Sequence, residues 1–191
     1  MSRWTAFLIV CSFLIVVDVA AQRILVVYYS QSGRTQAMAE HVARGARSVT
    51  NIDVHLQSID STSANDLRAA DAVVVGSPVH GGNVAAPVMA FMNTWPWPSK
   101  FQDKIGAAFV TGGGISAGEE LTQTAILHTM LIYGMIVVGG PTWEQAFGAS
   151  AITDEAPFAD AARKESVDPK FLERAFALGK RVAEVARMMK D

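Results

Sequence analysis

Segment 30–35 reads SQSGRT and places three hydroxyl side chains around one glycine. A short apolar run, 24–29, precedes it, and apolar residues at helical spacing follow it. Hydroxyls and backbone N–H groups at the start of a helix suit a phosphate monoester, because the positive end of the helix stabilises the anion. The predicted phosphate-binding residues are Ser30, Gln31, Ser32, Gly33, Arg34 and Thr35, with Arg34 either adding charge or facing solvent.

Two further segments rich in glycine and small polar residues follow buried apolar runs: 76–83, GSPVHGGN, and 111–118, TGGGISAG. Each alone is explained by the need of turns for glycine. Together with 30–35 they follow the predicted first, third and fourth strands. Because ligands of parallel sheets bind beyond the carboxyl ends of the strands, the three segments predict one shared site.

The elements that must position these segments alternate between strand and helix. Apolar runs predict strands at 24–29, 52–56, 72–75, 105–110 and 135–138, and helical spacing predicts helices at 35–46, 62–70, 87–93, 119–133 and 168–189. Such alternation predicts an α/β fold with a doubly wound parallel sheet in one domain, 22–191. The irregular stretch 139–165 is long enough to suggest a function of its own.

Composition excludes several classes of protein. Half of the 191 residues are hydrophobic and 18% are charged, which excludes global disorder, and the net charge of −2 gives no basic footprint for nucleic acid. Cys11 is the single cysteine, so disulfide frameworks and thiolate metal sites are excluded. The first strand is followed neither by G-x-G-x-x-G nor by a Walker lysine, and the third lacks a phosphorylatable aspartate at its end.

Residues 1–21 differ from the rest of the chain. Arg3 precedes an apolar run, 6–17, and the small residues Val19 and Ala21 follow it, a pattern typical of a secretory signal peptide. The pattern predicts export to the periplasm or the medium. An uncleaved membrane anchor and a cytoplasmic N-terminal extension are the alternatives, and membrane contact is expected only if the segment is retained.

The motifs together resemble the WrbA-type NAD(P)H:quinone oxidoreductases over residues 23–190. The resemblance is carried by YYSQSGRT, GSPVHGGNVAAPVMAFMNTW, TGGGISAGEELT, LIYGMIVVGG and AFGAS, in that order. It implies a flavodoxin-like three-layer sandwich with a five-stranded parallel sheet of order 2-1-3-4-5. It also implies FMN as cofactor, NAD(P)H as electron donor, a quinone as acceptor, and a homodimer or homotetramer.

The resemblance also implies roles for individual residues. Pro78, Val79, His80, Gly81, Gly82 and Asn83 would lie along the flavin, and Thr111, Gly112, Gly113, Gly114, Ile115, Ser116 and Ala117 would close its other side. Ser32, Trp97, Trp95 and Tyr133 would contact the substrates, with Trp97 fitting better than Trp95; packing is the alternative for each aromatic ring. The flavin carries the chemistry, so no catalytic side chain and no metal site are expected.

Three positions depart from the family. Ser32 stands where an aromatic is common, Ile132 where a histidine is common, and His80 where a larger or more basic residue is common. These changes leave FMN binding in place and leave the preferred nicotinamide and quinone turnover open. A flavodoxin-type electron carrier is therefore the alternative function, and a noncatalytic exported flavin-binding or partner-binding module is a third.

Overall fold

The computed structural model describes residues 21–97, 100–159 and 166–189. Residues 1–20, on which nearly all of the predicted signal peptide falls, lie outside the described residues. Within the described ranges, no helix has the length and hydropathy needed to cross a membrane.

A predominantly parallel sheet forms the middle layer, because its strands are short apolar runs that must be covered on both faces. Its strands are β1 (Gln22–Tyr28), β2 (Ile52–Ser58), β3 (Ala72–His80), β4 (Asn83–Val84), β5 (Ile105–Gly112), β6 (Ile136–Val137) and β7 (Ala149–Ile152). The main path runs β2-β1-β3-β5-β6. Counted without the antiparallel β4 and without β7, which pairs with β5 beside the path, this is order 2-1-3-4-5. The predicted fold class and strand order are therefore confirmed, but the sheet has seven strands rather than the predicted five.

Helices cover both faces of the sheet and complete the predicted three layers. They are α1 (Arg34–Arg47), α2 (Ala64–Ala69), α3 (Ala86–Asn93), α4 (Glu119–Ile132) and α5 (Pro169–Met188). Along β1, Ile24 and Val26 pack with α1 and α5, whereas Leu25 and Val27 pack with the other three helices. The alternation follows from the two-residue period of a strand.

Two glycines set how closely α1 and α5 pack. A Cβ on Gly179 would overlap the carbonyl oxygen of Val42, and a Cβ on Gly45 would overlap the carbonyl oxygen of Phe176. The backbones of the two helices therefore approach at a distance that no side chain at either position would allow. This contact fixes the axis of α1 and hence the direction of its N-terminus.

The structure corrects two sequence-based boundaries. The third strand continues through the predicted loop to His80 and turns back through Gly81 and Gly82 into β4. β7 lies inside the stretch predicted as irregular, and it extends the same edge of β5 that β6 begins. Three of its four residues, ASAI, are small and only one is β-branched, which explains why no strand was predicted there.

Candidate functional site

A cavity of about 180 Å³ lies at the carboxyl ends of β1, β3 and β5. All three predicted segments line it: the first through Gln31, Ser32, Arg34 and Thr35, the second through Pro78, Val79 and His80, and the third through Thr111, Gly112 and Gly113. Ser30, Gly33, Gly81, Gly82, Asn83, Gly114, Ile115, Ser116 and Ala117 do not line this cavity. The structure therefore brings the three segments together, as the sheet topology requires.

The N-terminus of α1 opens at this cavity. Gly33 adopts the left-handed conformation at the helix start (φ +83°), and no side chain in the described residues caps this terminus. The Ser30 hydroxyl is buried and has no hydrogen-bond partner in the described part of the chain. Thr35 Oγ1 and Thr111 Oγ1 share a hydrogen bond of 2.8 Å, which ties the first segment to β5. Open N–H groups and an unpaired hydroxyl form an anion-binding arrangement.

Arg34 is held at the cavity by a fourth segment, Thr153 and Asp154, that was not predicted from the sequence. Its guanidinium donates to both carboxylate oxygens of Asp154, at 2.8 and 2.7 Å, and to Thr153 Oγ1 at 3.2 Å. The hydrogen bond from Arg34 is the main cause that lowers the pKa of the Asp154 carboxyl, while partial burial opposes it. A hydroxyl and a carboxylate directly after the four residues ASAI were the only signal in the sequence for this segment.

Backbone bonds fix that fourth segment to the third. Thr153 N–H donates to Gly112 O, and Asp154 N–H donates to Gly113 O, both at 2.9 Å. These bonds continue the pairing of β7 with β5 beyond the end of both strands. The position of Asp154 is consequently set by the sheet register.

The second segment is a tight hairpin rather than an open loop. Gly81 and Gly82 form its turn with φ of +58° and +74°, as a two-residue hairpin of this kind requires. A Cβ on Gly118 would lie 2.6–2.8 Å from backbone atoms of Gly82, so the tip of the hairpin touches the end of the third segment. His80 is exposed and meets the edge of Tyr29 at 6.5 Å between ring centroids.

Carboxylates occupy two backbone donors of the third segment. Ile115 N–H donates to Glu155 Oε2 at 2.7 Å, and Ser116 N–H donates to Glu119 Oε1 at 3.0 Å. The predicted ligand contacts through these two N–H groups would require those bonds to open. Ser116 also has a φ of +59°, an unusual conformation for a serine that the two bonds help to hold.

The predicted substrate aromatics lie at the opposite end of the molecule. α3 and α4 run back along the sheet, so Trp95, Trp97 and Tyr133, which follow their last turns, lie near the amino ends of the strands. A helix of 14 residues such as α4 is ~21 Å long. Within one chain these three residues therefore do not lie beside the three segments, and their contact with substrate stays a prediction.

These rings pack with one another instead. Trp95 is only 3% exposed and stacks on Phe101 with 4.8 Å between ring centroids. Tyr133 lies 5.6 Å from Trp95 and 5.2 Å from Trp97, and Trp97 remains 63% exposed. Among the described residues no cluster of His, Cys, Asp and Glu could hold a metal ion.

Comparison with known proteins gives a family and a fold. The family described as "NADPH-dependent FMN reductase" matches residues 22–149. A curated protein of Aquifex aeolicus (strain VF5) named "Flavodoxin" is 34% identical over 122 residues, which span 61% of this chain and 64% of that protein. This chain thus matches less than two thirds of that relative's length.

Solved structures resemble the chain over most of its length. A "flavodoxin, WrbA-like protein" from Agrobacterium tumefaciens has a TM-score of 0.68 at 24% identity and covers 88% of this chain and 99% of its own. A "flavodoxin from the domain Archaea" has a TM-score of 0.64 at 27% identity, covering 87% and 99%. The fold is accordingly flavodoxin-like.

Proposed function

The chain belongs to the NADPH-dependent FMN reductase family, and on that premise we propose that it is an FMN-dependent NAD(P)H:quinone oxidoreductase of the WrbA type. The reaction would move two electrons from the nicotinamide to a quinone. The observation that carries the proposal is the cavity where the uncapped start of α1 meets the segments after β3 and β5. An uncapped helix terminus and a glycine-rich second wall suit a phosphorylated flavin better than a nucleotide bound through a Walker loop.

The residues present fit the FMN phosphate. Ser32 and the first N–H groups of α1 supply donors at the cavity, and Arg34 supplies the positive charge. The cavity is smaller than the ~300–1,000 Å³ of most ligand sites. We therefore assign it to the phosphate and the adjoining part of the ribityl chain.

The hairpin tip and the third segment are the proposed contacts of the flavin ring. Pro78, Val79 and His80 line the cavity from one side, and Gly112 and Gly113 from the other. When bound, FMN supplies the hydride chemistry. The chain's own residues orient it: the Gly82–Gly118 contact holds the two walls at a fixed separation, and small residues at 112–114 allow close backbone approach.

A flavodoxin-type electron carrier is the second candidate. It is favoured by the curated relative named "Flavodoxin". A carrier would share the FMN site and would exchange electrons with a protein partner. The weak net charge of −2 supports the enzyme, because it gives little electrostatic attraction for a charged partner.

Oligomer formation is part of the proposal. Trp97 is exposed at the end of the molecule that is remote from the cavity. It could therefore contact a quinone only at the cavity of a second copy. A homodimer or homotetramer would meet that requirement.

Export through the N-terminal segment is also proposed. Ala21 precedes β1, which begins at Gln22, so cleavage after Ala21 would leave the sheet intact. N-terminal sequencing of protein from its native host is expected to begin at Gln22. A sequence beginning at Met1 or Ser2 would contradict cleavage.

Steady-state turnover tests the proposed reaction. We expect the FMN-loaded chain to oxidise NADPH or NADH when benzoquinone is added, with ping-pong kinetics, because donor and acceptor would use the flavin in turn. Flavin-loaded protein that oxidises neither donor would contradict the enzyme and favour the carrier. Protein that binds no added FMN would contradict both.

A further inference from the structure

A second cavity, of about 370 Å³, adjoins the first. Ile152 lines the second cavity, and the next residue, Thr153, lines the first. The backbone at these two residues therefore lies between the two cavities. The volume of the second cavity lies within the range of ~300–1,000 Å³ that small-molecule sites occupy. The proposed flavin site makes no use of it.

Aromatic side chains dominate the apolar part of this cavity. Trp143 is 85% exposed and Phe147 is partly exposed, and both belong to the chain between β6 and β7. Phe158 and Phe171 pack edge to face beside them, with 4.9 Å between their centroids. Exposed aromatic rings beside a cavity favour a planar heterocyclic ligand, because aromatic side chains stack on the flat face of any nucleic-acid base.

Positive charge lies at the start of α5. Lys170 and Arg174 line the cavity one helical turn apart, and the guanidinium of Arg174 lies 5.9 Å from the centroid of Phe171. The pKa of the Glu144 carboxyl is lowered, first by its hydrogen bond with Thr142 and also by these two cations. Asp168 caps the N-terminus of this helix by accepting a hydrogen bond from Lys170 N–H, so the two side-chain cations are the groups that favour a phosphate on the ligand.

A buried amide supplies a recognition element. Gln123 lines the cavity, is 3% exposed, and its Nε2 has no hydrogen-bond partner in the described part of the chain. Glu119, one turn earlier on α4, also lines the cavity, and its Oε2 likewise has no partner among the described residues. A donor beside an acceptor matches the edge of adenine, where a ring nitrogen that accepts lies next to an amino group that donates.

We propose that this cavity binds a phosphorylated adenosine, and specifically the adenosine 2′-phosphate end of NADPH. Adenine would stack on Trp143 and hydrogen-bond to Gln123, and the 2′-phosphate would contact Lys170 and Arg174. Glu120, which also lines the cavity, would accept a hydrogen bond from a ribose hydroxyl. The assignment rests on the proposed function, because the nicotinamide end must reach the flavin across the 111–118 segment.

Calorimetry on the full, FMN-loaded chain with adenosine 2′,5′-bisphosphate tests the site. We expect one bisphosphate to bind per chain, and the double variant Lys170→Ala/Arg174→Ala to bind it at least roughly tenfold more weakly, as expected when charge-assisted bonds are lost. Lys180→Ala, a half-exposed lysine farther along α5, is the matched control and should bind unchanged. Absence of binding, or equal binding by the double variant, would overturn the proposal.

Kinetics separate the dinucleotide from a free nucleotide. The double variant should raise the KM for NADPH roughly tenfold and leave the KM for NADH unchanged, because only NADPH carries the 2′-phosphate. An unchanged KM for NADPH together with tight binding of ATP or ADP would overturn the NADPH assignment and identify a free-nucleotide site. If the chain binds the bisphosphate as expected but oxidises neither NADPH nor NADH, the proposed oxidoreductase activity is contradicted. The cavity would then still be a site for a phosphorylated adenosine.

Trp143→Ala distinguishes a ligand site from a contact between copies. The side chain is exposed, so its removal should leave the fold intact and weaken bisphosphate binding severalfold. If the variant instead changed the molecular mass in solution and bound the bisphosphate normally, this face would be a subunit contact. That result would overturn the nucleotide assignment.

Discussion

Arg34 faces the proposed phosphate while it is paired with Asp154. We expect Arg34→Ala to weaken FMN binding roughly tenfold or more, because a hydrogen bond to a charged group contributes ~1.5–3 kcal/mol. Riboflavin has no phosphate, so its binding should not change. Quenching of flavin fluorescence on titration measures both affinities.

Arg47→Ala is the matched control, since Arg47 lies in the last turn of the same helix and is exposed. It should bind FMN and riboflavin like the unaltered chain. An equal loss of both flavins in Arg34→Ala would show that the arginine acts through the structure of the loop and would contradict a phosphate contact.

Asp154 competes with the phosphate for the same guanidinium. We therefore expect Asp154→Asn to raise the affinity for FMN severalfold without altering riboflavin binding; the gain should be small, since a half-exposed ion pair contributes ~0–1 kcal/mol. The same fluorescence titration measures it. Weaker FMN binding in this variant would instead mean that Asp154 holds Arg34 in its binding orientation.

The Arg34–Asp154 pair also predicts a pH dependence of stability. The pKa of the Asp154 carboxyl is lowered in the folded chain from its ordinary value of 3.8, so the pair stabilises the fold above that value. This contribution is lost as the pH falls below 3.8 through the folded pKa. Urea unfolding of the unaltered chain and Asp154→Asn at pH 7, 5 and 3 should show a constant difference that shrinks only at pH 3.

At the scale of elements, the α1–α5 contact positions the anion site. We expect Gly179→Ala to lower the free energy of unfolding by ~1–3 kcal/mol, because the added methyl group would overlap the Val42 carbonyl. Helix propensity alone would make the alanine variant more stable than the glycine by up to ~1 kcal/mol. A loss of stability would therefore show that the close packing outweighs helix propensity. Urea unfolding monitored by circular dichroism gives the value.

Glu184→Ala, a partly exposed position on the same helix, is the control and should change stability little. A stabilised Gly179→Ala variant would show that the two helices separate at low cost. It would also weaken the inference that their contact fixes the direction of α1.

Which elements could be predicted from the sequence depended on their side chains. Runs such as 72–75, three valines after an alanine, bury both faces of a strand and were found. β7 was missed because ASAI carries little apolar surface and is ordered by pairing with β5, a contact invisible in the local sequence. Thr153 and Asp154 were missed with it.

At the scale of the whole molecule, an apolar patch surrounds the end of α4. Ile132 is 71% exposed, and Leu131 and Trp97 are exposed nearby. Patches of this kind mark contacts between proteins, which supports the proposed oligomer. We expect Ile132→Glu to reduce the mass measured by light scattering toward that of one chain.

Lys180→Glu, which adds negative charge to a half-exposed position on the opposite face of the sheet, is the control and should keep the oligomer. A single-chain mass for the unaltered protein would contradict the oligomer outright. In that case Trp97 would have no route to a substrate.

The positions of three aromatic residues show what local sequence patterns cannot predict. The family resemblance implied that Trp95, Trp97 and Tyr133 contact substrate, yet their position in the chain follows from the direction and length of α3 and α4. The three predicted binding segments were brought together because topology alone places the carboxyl ends of parallel strands at one edge. The side-chain pairs within the site, such as Thr35 with Thr111, had no sequence signature.

The divided edge strand has a consequence for protein engineering. β6 pairs with the first two residues of β5 and β7 with its last four, so each half is anchored independently of the chain that joins them. An insertion between the exposed residues Pro141 and Thr142 would consequently break no ladder and would leave the residues that line the second cavity in place. A sensor module or affinity handle spliced there would sit beside the binding face and leave the folding unit whole.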